Sequence, residues 1–327
     1  MDRLEWFKNK KWGLFTHFLA APASSALGAE TTAEEWNRRV DAFDVDLFAK
    51  DLKDTSADFC CITLGQNSGH YCAPNAAYDR FTGISPSKCS KRDLVGDLAD
   101  RLESDGIDVL VYTTAGAPAA EPQAMEALKW EWGYEGNWPD SPCTARTGKR
   151  LAEFQVYWEE IQRDWSLRWG RRVKGWWVDG FYFHEEMYNH PDAPNYKSFT
   201  DALRAGNPDA VVALNTGLET PFEILSDYDD YTAGEVGYSL PLAIGWDDSA
   251  EAFAKKTKNR QLHVLSYLGK TWGVGSPRFG DELVAGYTKY IISKGGIVTW
   301  DIPLNPNGSM PDEYKKQLVS LSDSLNK

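Results

Sequence analysis

The chain has 327 residues, 42% of them apolar and 25% charged. That balance belongs to a soluble globular protein with a sizeable core, and the length suits one (β/α)₈ barrel, which needs roughly 250 residues plus loop insertions. A formal net charge of -13 repels phosphate backbones and anionic lipid, so nucleic acid and membrane surfaces are not expected partners and a neutral one is.

Eight short β-rich runs recur along the chain: 11–18, 57–64, 108–114, 173–179, 210–215, 230–235, 262–268 and 295–300. Amphipathic stretches fall between them, at 45–53, 91–104, 150–168, 196–205, 281–293 and 311–325, the last opened by Pro311. Alternation of this kind predicts βα units around a parallel sheet, here a single-domain (β/α)₈ TIM-type barrel over residues 1–327. The pattern is weakest at the sixth and seventh runs, because DYTAGE is short and 255–260 is strongly basic. A doubly wound open sheet is the structural alternative, but no GxGxxG turn or Walker motif supports a nucleotide site.

Two long connections, 19–40 and 118–149, belong on the catalytic face of such a barrel, and the second carries Trp130, Trp132, Tyr134 and Trp138. These rings suit either a loop mini-core or a sugar platform, in a chain with 14 Trp, 15 Tyr and 14 Phe. Five cysteines (Cys60, Cys61, Cys72, Cys89, Cys143) form no CxxC pair and are odd in number, so neither a zinc site nor a disulfide framework is expected, and no metal or organic cofactor. No apolar run approaches the ~18 residues of a membrane span, and the opening MDRLEWFKNKKWG has no signal-peptide core. A soluble protein is expected, either cytoplasmic or exported with its signal removed.

A barrel places its reactive groups at the carboxyl ends of its strands, and here those ends read His17, Gln66, Asn67, Thr114, Asp179, Asn215, Glu235, Tyr267 and Asp301. Asp179 closes the apolar run KGWWVDG and is followed by Gly180. Aromatic walls lower the local dielectric and the glycine leaves room for a ring, which suits a nucleophile; an Asp capping the next turn is the plainer alternative. Glu235 ends the sixth run and is the candidate acid/base, with Glu185, Glu186, Glu219 and Asp301 as rivals. His17 is placed to bind a hydroxyl, and His70 is a second binding candidate, whereas His184, His190 and His263 read as structural. There is no GxSxG elbow, and Cys72 beside His70 reads as a chance neighbour rather than thiol chemistry.

At these motifs the chain resembles the α-L-fucosidases of glycoside hydrolase family 29. EWFKNKKWGLFTHF (5–18) is similar to that family's WF…KFGIFIHWG opening, which implies that His17 is a sugar-hydroxyl ligand, and Glu35 and Trp36 stand at its EW positions. KGWWVDG resembles the WFDG segment, implying Asp179 as nucleophile, and DYDDYTAGE resembles DF…TPE, implying Glu235 as acid/base. ISKGGIVTWDIPLNPNGSM is similar to the VSKGGNLLLNIGP…DG ending, with Trp300 and Asp301 in place of Leu-Asn. Where the family has TxKHHDGF, this chain reads TLGQNSGHY, so Gln66 and Asn67 replace two sugar-binding histidines; amides still donate and accept, but with other geometry. The family's C-terminal β-sandwich has no counterpart in these 327 residues.

The resulting expectation is a retaining exo-glycosidase that releases a terminal α-linked sugar, fucose or a pyranose such as α-galactose, from an oligosaccharide or glycoconjugate. His17, Gln66, Asn67, His70 and Asp301 would hold hydroxyls, with Trp36 and Trp177 as apolar walls. A catalytically silent carbohydrate-binding barrel and an endo-acting enzyme on a fucose-containing polymer are the rivals.

Overall fold

The computed structural model describes residues 3–21, 31–131, 148–217, 222–244 and 246–326. Seven strands form one parallel sheet: β1 (Trp12–Thr16), β2 (Phe59–Thr63), β3 (Asp108–Thr114), β4 (Val173–Asp179), β5 (Val211–Leu214), β6 (His263–Tyr267) and β7 (Ile297–Ile302). Their order is β5-β4-β3-β2-β1-β7-β6, with helices in the crossovers, so the sheet is consistent with a (β/α) barrel and not with the doubly wound alternative. Among the described residues no helix is long and apolar enough to cross a membrane.

Side-chain alternation along the strands sorts the core into two layers. Phe15, Cys61, Leu110, Tyr112, Trp177, Ala213, Leu265 and Ile297 share an interior cluster with Tyr231 and Ala233. Their strand neighbours, such as Leu14, Ile62, Val111, Trp176, Val212, Val264 and Trp300, face the helices. Helix Arg3–Lys8 inserts Leu4 and Phe7 into the interior cluster, and the Phe7 ring meets Phe59 at 5.5 Å and Tyr231 at 4.8 Å. Phe59 opens β2, so this helix plugs the amino end of the sheet and leaves the carboxyl end for chemistry.

The sixth expected strand does not form. Asp230 N–H donates to Val212 O at 2.8 Å, but the Val212 N–H turns to the Asp230 carboxylate (2.9 Å) instead of a backbone carbonyl. That carboxylate is also paired with Arg204, which fixes a side chain where a ladder bond would run. Gly234 then adopts φ +65, a left-handed conformation where a side chain would collide with His263 O. Residues 230–236 nevertheless follow β6, with parallel bridges from Tyr231 to Gln261 and from Glu235 to Leu265. A continuous ladder of eight strands is therefore not completed among the described residues.

The connection 19–40 also differs from expectation, because it contains helix Ala33–Asp41. Thr32 and Glu35 form a reciprocal capping box, satisfying amino-terminal N–H groups that would otherwise lack partners. Helix Pro122–Ala127 occupies part of the second connection, while Trp132, Tyr134, Trp138 and Cys143 lie outside the described residues.

Candidate active site

The carboxyl ends of the strands surround a cavity of about 470 Å³. Its walls include His17 after β1, Gln66 and Asn67 after β2, Tyr112 and Thr114 on β3, Trp177 and Asp179 on β4, and Glu235 on the irregular segment. Trp272, from the connection after β6, and Trp130 add to its aromatic lining, as do Phe15, Tyr182 and Phe183.

Asp179 is the last residue of β4, in register with Thr114 of β3. Gly180 follows with φ +82 and donates its N–H back to Asp179 Oδ1 at 2.8 Å. Tyr112 donates its hydroxyl to Asp179 Oδ2 at 2.8 Å and accepts from Gln66 Nε2 at 2.8 Å, while Asn215 Nδ2 donates to Asp179 Oδ1 at 3.0 Å. Burial raises the Asp179 pKa, and the Tyr112, Asn215 and Gly180 donors oppose that shift by stabilising the carboxylate.

Asn215 also donates to Glu235 Oε2 at 2.7 Å. One amide nitrogen thus bridges both carboxyl groups, which keeps the two bonded oxygens within about 6 Å of each other. The Asn215 oxygen accepts the Gly217 N–H at 3.1 Å, so the amide is oriented with its nitrogen toward the acids. Burial, reinforced by the neighbouring Asp179 charge and opposed by Asn215, pushes Glu235 up to about 7. Of this pair, Asp179 with three donors is the better carboxylate and Glu235 the better proton carrier.

His17 Nδ1 lies 2.7 Å from Asp301 Oδ1, and Gly273 N–H donates to Asp301 Oδ2 at 2.6 Å. Asp301 is wholly buried on β7 beside Phe15 of β1. It stands behind His17 and is not among the residues that line the cavity, so the hydroxyl contact expected of it falls to His17, whose Nδ1 it pairs and whose Nε2 it leaves for a ligand. Trp177 stacks on Tyr112 with 5.6 Å between centroids and an 18° tilt, and its Nε1 donates to Ala233 O.

Two expected binding residues stand apart from the cavity. Trp36, on helix Ala33–Asp41, is fully buried against Phe18, with Nε1 donating to Tyr71 O at 2.9 Å, so it is a core residue and not a cavity wall. His70 is buried beside it, 6.1 Å from the Trp36 ring and within 3.4 Å of Ser68 Oγ. Among the rival acids, exposed Glu185 bonds Asn189, Glu186 lies off the cavity, and Glu219 falls outside the described residues. His263 is enclosed by Thr232, Ala233 and Thr299, and the buried thiols of Cys60, Cys61, Cys72 and Cys89 are unpaired with one another.

Tyr112, Trp272 and the bridging action of Asn215 were not anticipated from the sequence. The period-two pattern of DVLVYTT places Tyr112 on the same face as Thr114 and so contains a signal for it. Trp272 sits in the glycine-rich GKTWGVG, where no periodicity tells which way a side chain turns.

No family model matches this chain, and no curated protein matches it by sequence. Solved structures do match in fold. The endo-fucoidan hydrolase MfFcnA4 of glycoside hydrolase family 107 superposes with a TM-score of 0.68 at 18% identity over 99% of this chain and 53% of its own. The family 107 endo-fucoidan hydrolase P5AFcnA gives 0.68 at 14% identity over 100% of this chain and 94% of its own. A family 29 α-L-fucosidase from Bacteroides thetaiotaomicron gives 0.65 at 16% identity, covering 100% of this chain and 74% of its own. The chain therefore spans about half the length of MfFcnA4 and shares its fold.

Proposed function

We propose that this protein is a glycoside hydrolase with a double-displacement, retaining mechanism, acting on a terminal α-linked fucose or a related pyranose. The observation that carries the reading is the Asn215 amide joined to both Asp179 and Glu235 inside one cavity. Retaining glycosidases use carboxyl pairs about 5–5.5 Å apart, whereas inverting ones need roughly 6.5–9.5 Å to admit a water. The short bridge favours retention. The volume suits a single sugar ring, and the likeness in fold to fucosidases and fucoidan hydrolases supports the substrate class. With residues 230–236 as an irregular sixth stave, the fold reads as a degenerate eight-membered barrel.

In this mechanism an Asp179 oxygen bonds to the anomeric carbon as the glycosidic C–O bond breaks, and Glu235 gives its proton to the departing oxygen. Water then attacks the same carbon, Glu235 takes back a proton, and the bond to Asp179 breaks, restoring both groups. Tyr112 and Asn215 hold Asp179 for attack. His17, Gln66 and Asn67 hold sugar hydroxyls, and Trp177 supplies an apolar wall.

The test is hydrolysis of a panel of aryl glycosides by the protein and its Asp179→Asn and Glu235→Ala variants, with NMR of the first-formed anomer. Asp179→Asn should abolish turnover while sparing sugar binding, and azide should restore turnover to Glu235→Ala. Full activity in Asp179→Asn sinks the reading. Tight sugar binding without turnover on any member of the panel would instead favour a silent carbohydrate-binding barrel. Endo-action on a fucose-containing polymer is a second reading, favoured by endo-fucoidan hydrolases such as MfFcnA4 and P5AFcnA among the similar folds; a ladder of oligomers, instead of released monosaccharide, would select it.

A further inference from the structure

We propose that Tyr238, backed by Tyr267 and Trp272, is a stacking platform at the cavity mouth for the sugar ring on the leaving-group side of the scissile bond. The inference rests on the glycosidase reading, because that reading fixes which side of the cavity the leaving group occupies. A general acid must touch the departing oxygen, so the departing sugar lies against the wall that carries Glu235 and extends outward from it.

That wall has a direction. Glu235 bridges Leu265 in parallel register, the Val236 N–H donates to Leu265 O, and the Val236 carbonyl accepts from Ser266 Oγ. The segment thus climbs along β6 toward its carboxyl end, and Tyr238 comes beside Tyr267, the last residue of that strand, with 6.4 Å between ring centroids at 88°. Tyr267 in turn packs against Trp272 at 4.8 Å and 75°, and Trp272 lines the cavity. Three rings in contact therefore run from the cavity wall at Trp272 outward to the exposed Tyr238.

The outermost ring is open and its support is stiff. Tyr238 is 86% exposed, while Tyr267 beneath it is only 3% exposed. The Arg278 guanidinium lies 3.9 Å from the Tyr267 ring centroid and donates to the carbonyls of Tyr267 (3.0 Å) and Gly237 (2.8 Å). It fixes the backbone next to Tyr238, so the ring is presented from an anchored position. A single exposed tyrosine needs no explanation by itself; an anchored ring three residues beyond the acid, continuous with the cavity's aromatic lining, has a direction that leads toward a bound chain. A flat ring face matches the C–H face of a pyranose, and a chain of net charge -13 favours a neutral sugar.

The experiment compares two substrates with the same glycone: a glycosyl fluoride, whose leaving group is one atom and reaches no platform, and a neutral oligosaccharide. For Tyr238→Ala the ratio of kcat/KM on the oligosaccharide to kcat/KM on the fluoride should fall about tenfold, the factor that a lost ring contact of roughly 1.4 kcal/mol produces. Tyr238→Phe should keep the ratio, since the ring and not the hydroxyl does the binding. An unchanged ratio in Tyr238→Ala overturns the platform and leaves the hydrolase reading standing. Failure of the unaltered protein to cleave either substrate overturns both.

Discussion

Asn215 gives both hydrogens of one side-chain amide to acids, one to Asp179 and one to Glu235, and receives the Gly217 N–H on its oxygen. Two buried carboxyl groups held this close resist double ionisation, so the donor between them decides how easily each loses its proton. With Glu235 pushed up to about 7, the proposed mechanism requires kcat/KM to fall as pH rises through about 7, because Glu235 then loses the proton it would donate. Asn215 lowers the pKa of both acids, so Asn215→Ala should move that alkaline limb to higher pH and cost about 10²-fold in kcat/KM, the range for removing one positioned donor. A pH–rate profile checks both, and an unmoved alkaline limb in the variant would contradict the assignment. The acids themselves were legible in the sequence because each closes a β-rich run. Their shared donor was visible only as one more polar strand end, since no spacing rule reveals which side chains meet across a barrel mouth.

Six of the helical stretches and seven of the eight β-runs expected from periodicity appear in the structure, because alternation and amphipathicity follow from burial on one face or two. Boundaries drifted by up to three residues, and at β7 this mattered: the strand begins at Ile297, which seats Asp301 inside the strand facing inward instead of on the rim. The helix at Ala33–Asp41 was written in the sequence as Thr32 followed three residues later by Glu35, and it explains why Trp36 packs inward. Helix Arg3–Lys8 gives a test of the plug at the far end of the sheet. Phe7 is fully buried among Phe59, Tyr231 and His263, so Phe7→Ala should destabilise the protein by about 3–5 kcal/mol. Chemical denaturation measures this, and a loss below about 1 kcal/mol would mean that the helix does not close the interior.

Over the whole molecule, buried acids make stability depend on pH. Burial raises Glu159, Asp229 and Glu235 to about 7. Between their ordinary values near 4 and about 7 the folded chain binds more protons than the unfolded one, so these groups favour the fold increasingly as pH falls through that window. His70 and His263, lowered by burial to about 4, act in the opposite sense below about 6.5, where only the unfolded chain takes up their protons. Three acids outweigh two imidazoles near neutrality, and partial neutralisation of the -13 charge eases self-repulsion. The Tm should therefore be higher at about pH 6 than at about pH 8, and thermal melts showing the reverse would contradict this balance. The two acids of the cavity also hang on supports of unequal stiffness. Asp179 terminates a strand bonded on both flanks by β3 and β5, while Glu235 rides a tether that follows β6 through isolated bridges and meets β5 at Asp230, through its N–H and its carboxylate. Amide exchange should be faster along 230–236 than along 173–179. Changes of length in that tether can re-aim Glu235 while Asp179 keeps its place, so under the proposed mechanism this fold can adjust to new leaving groups at one edge without rebuilding its centre.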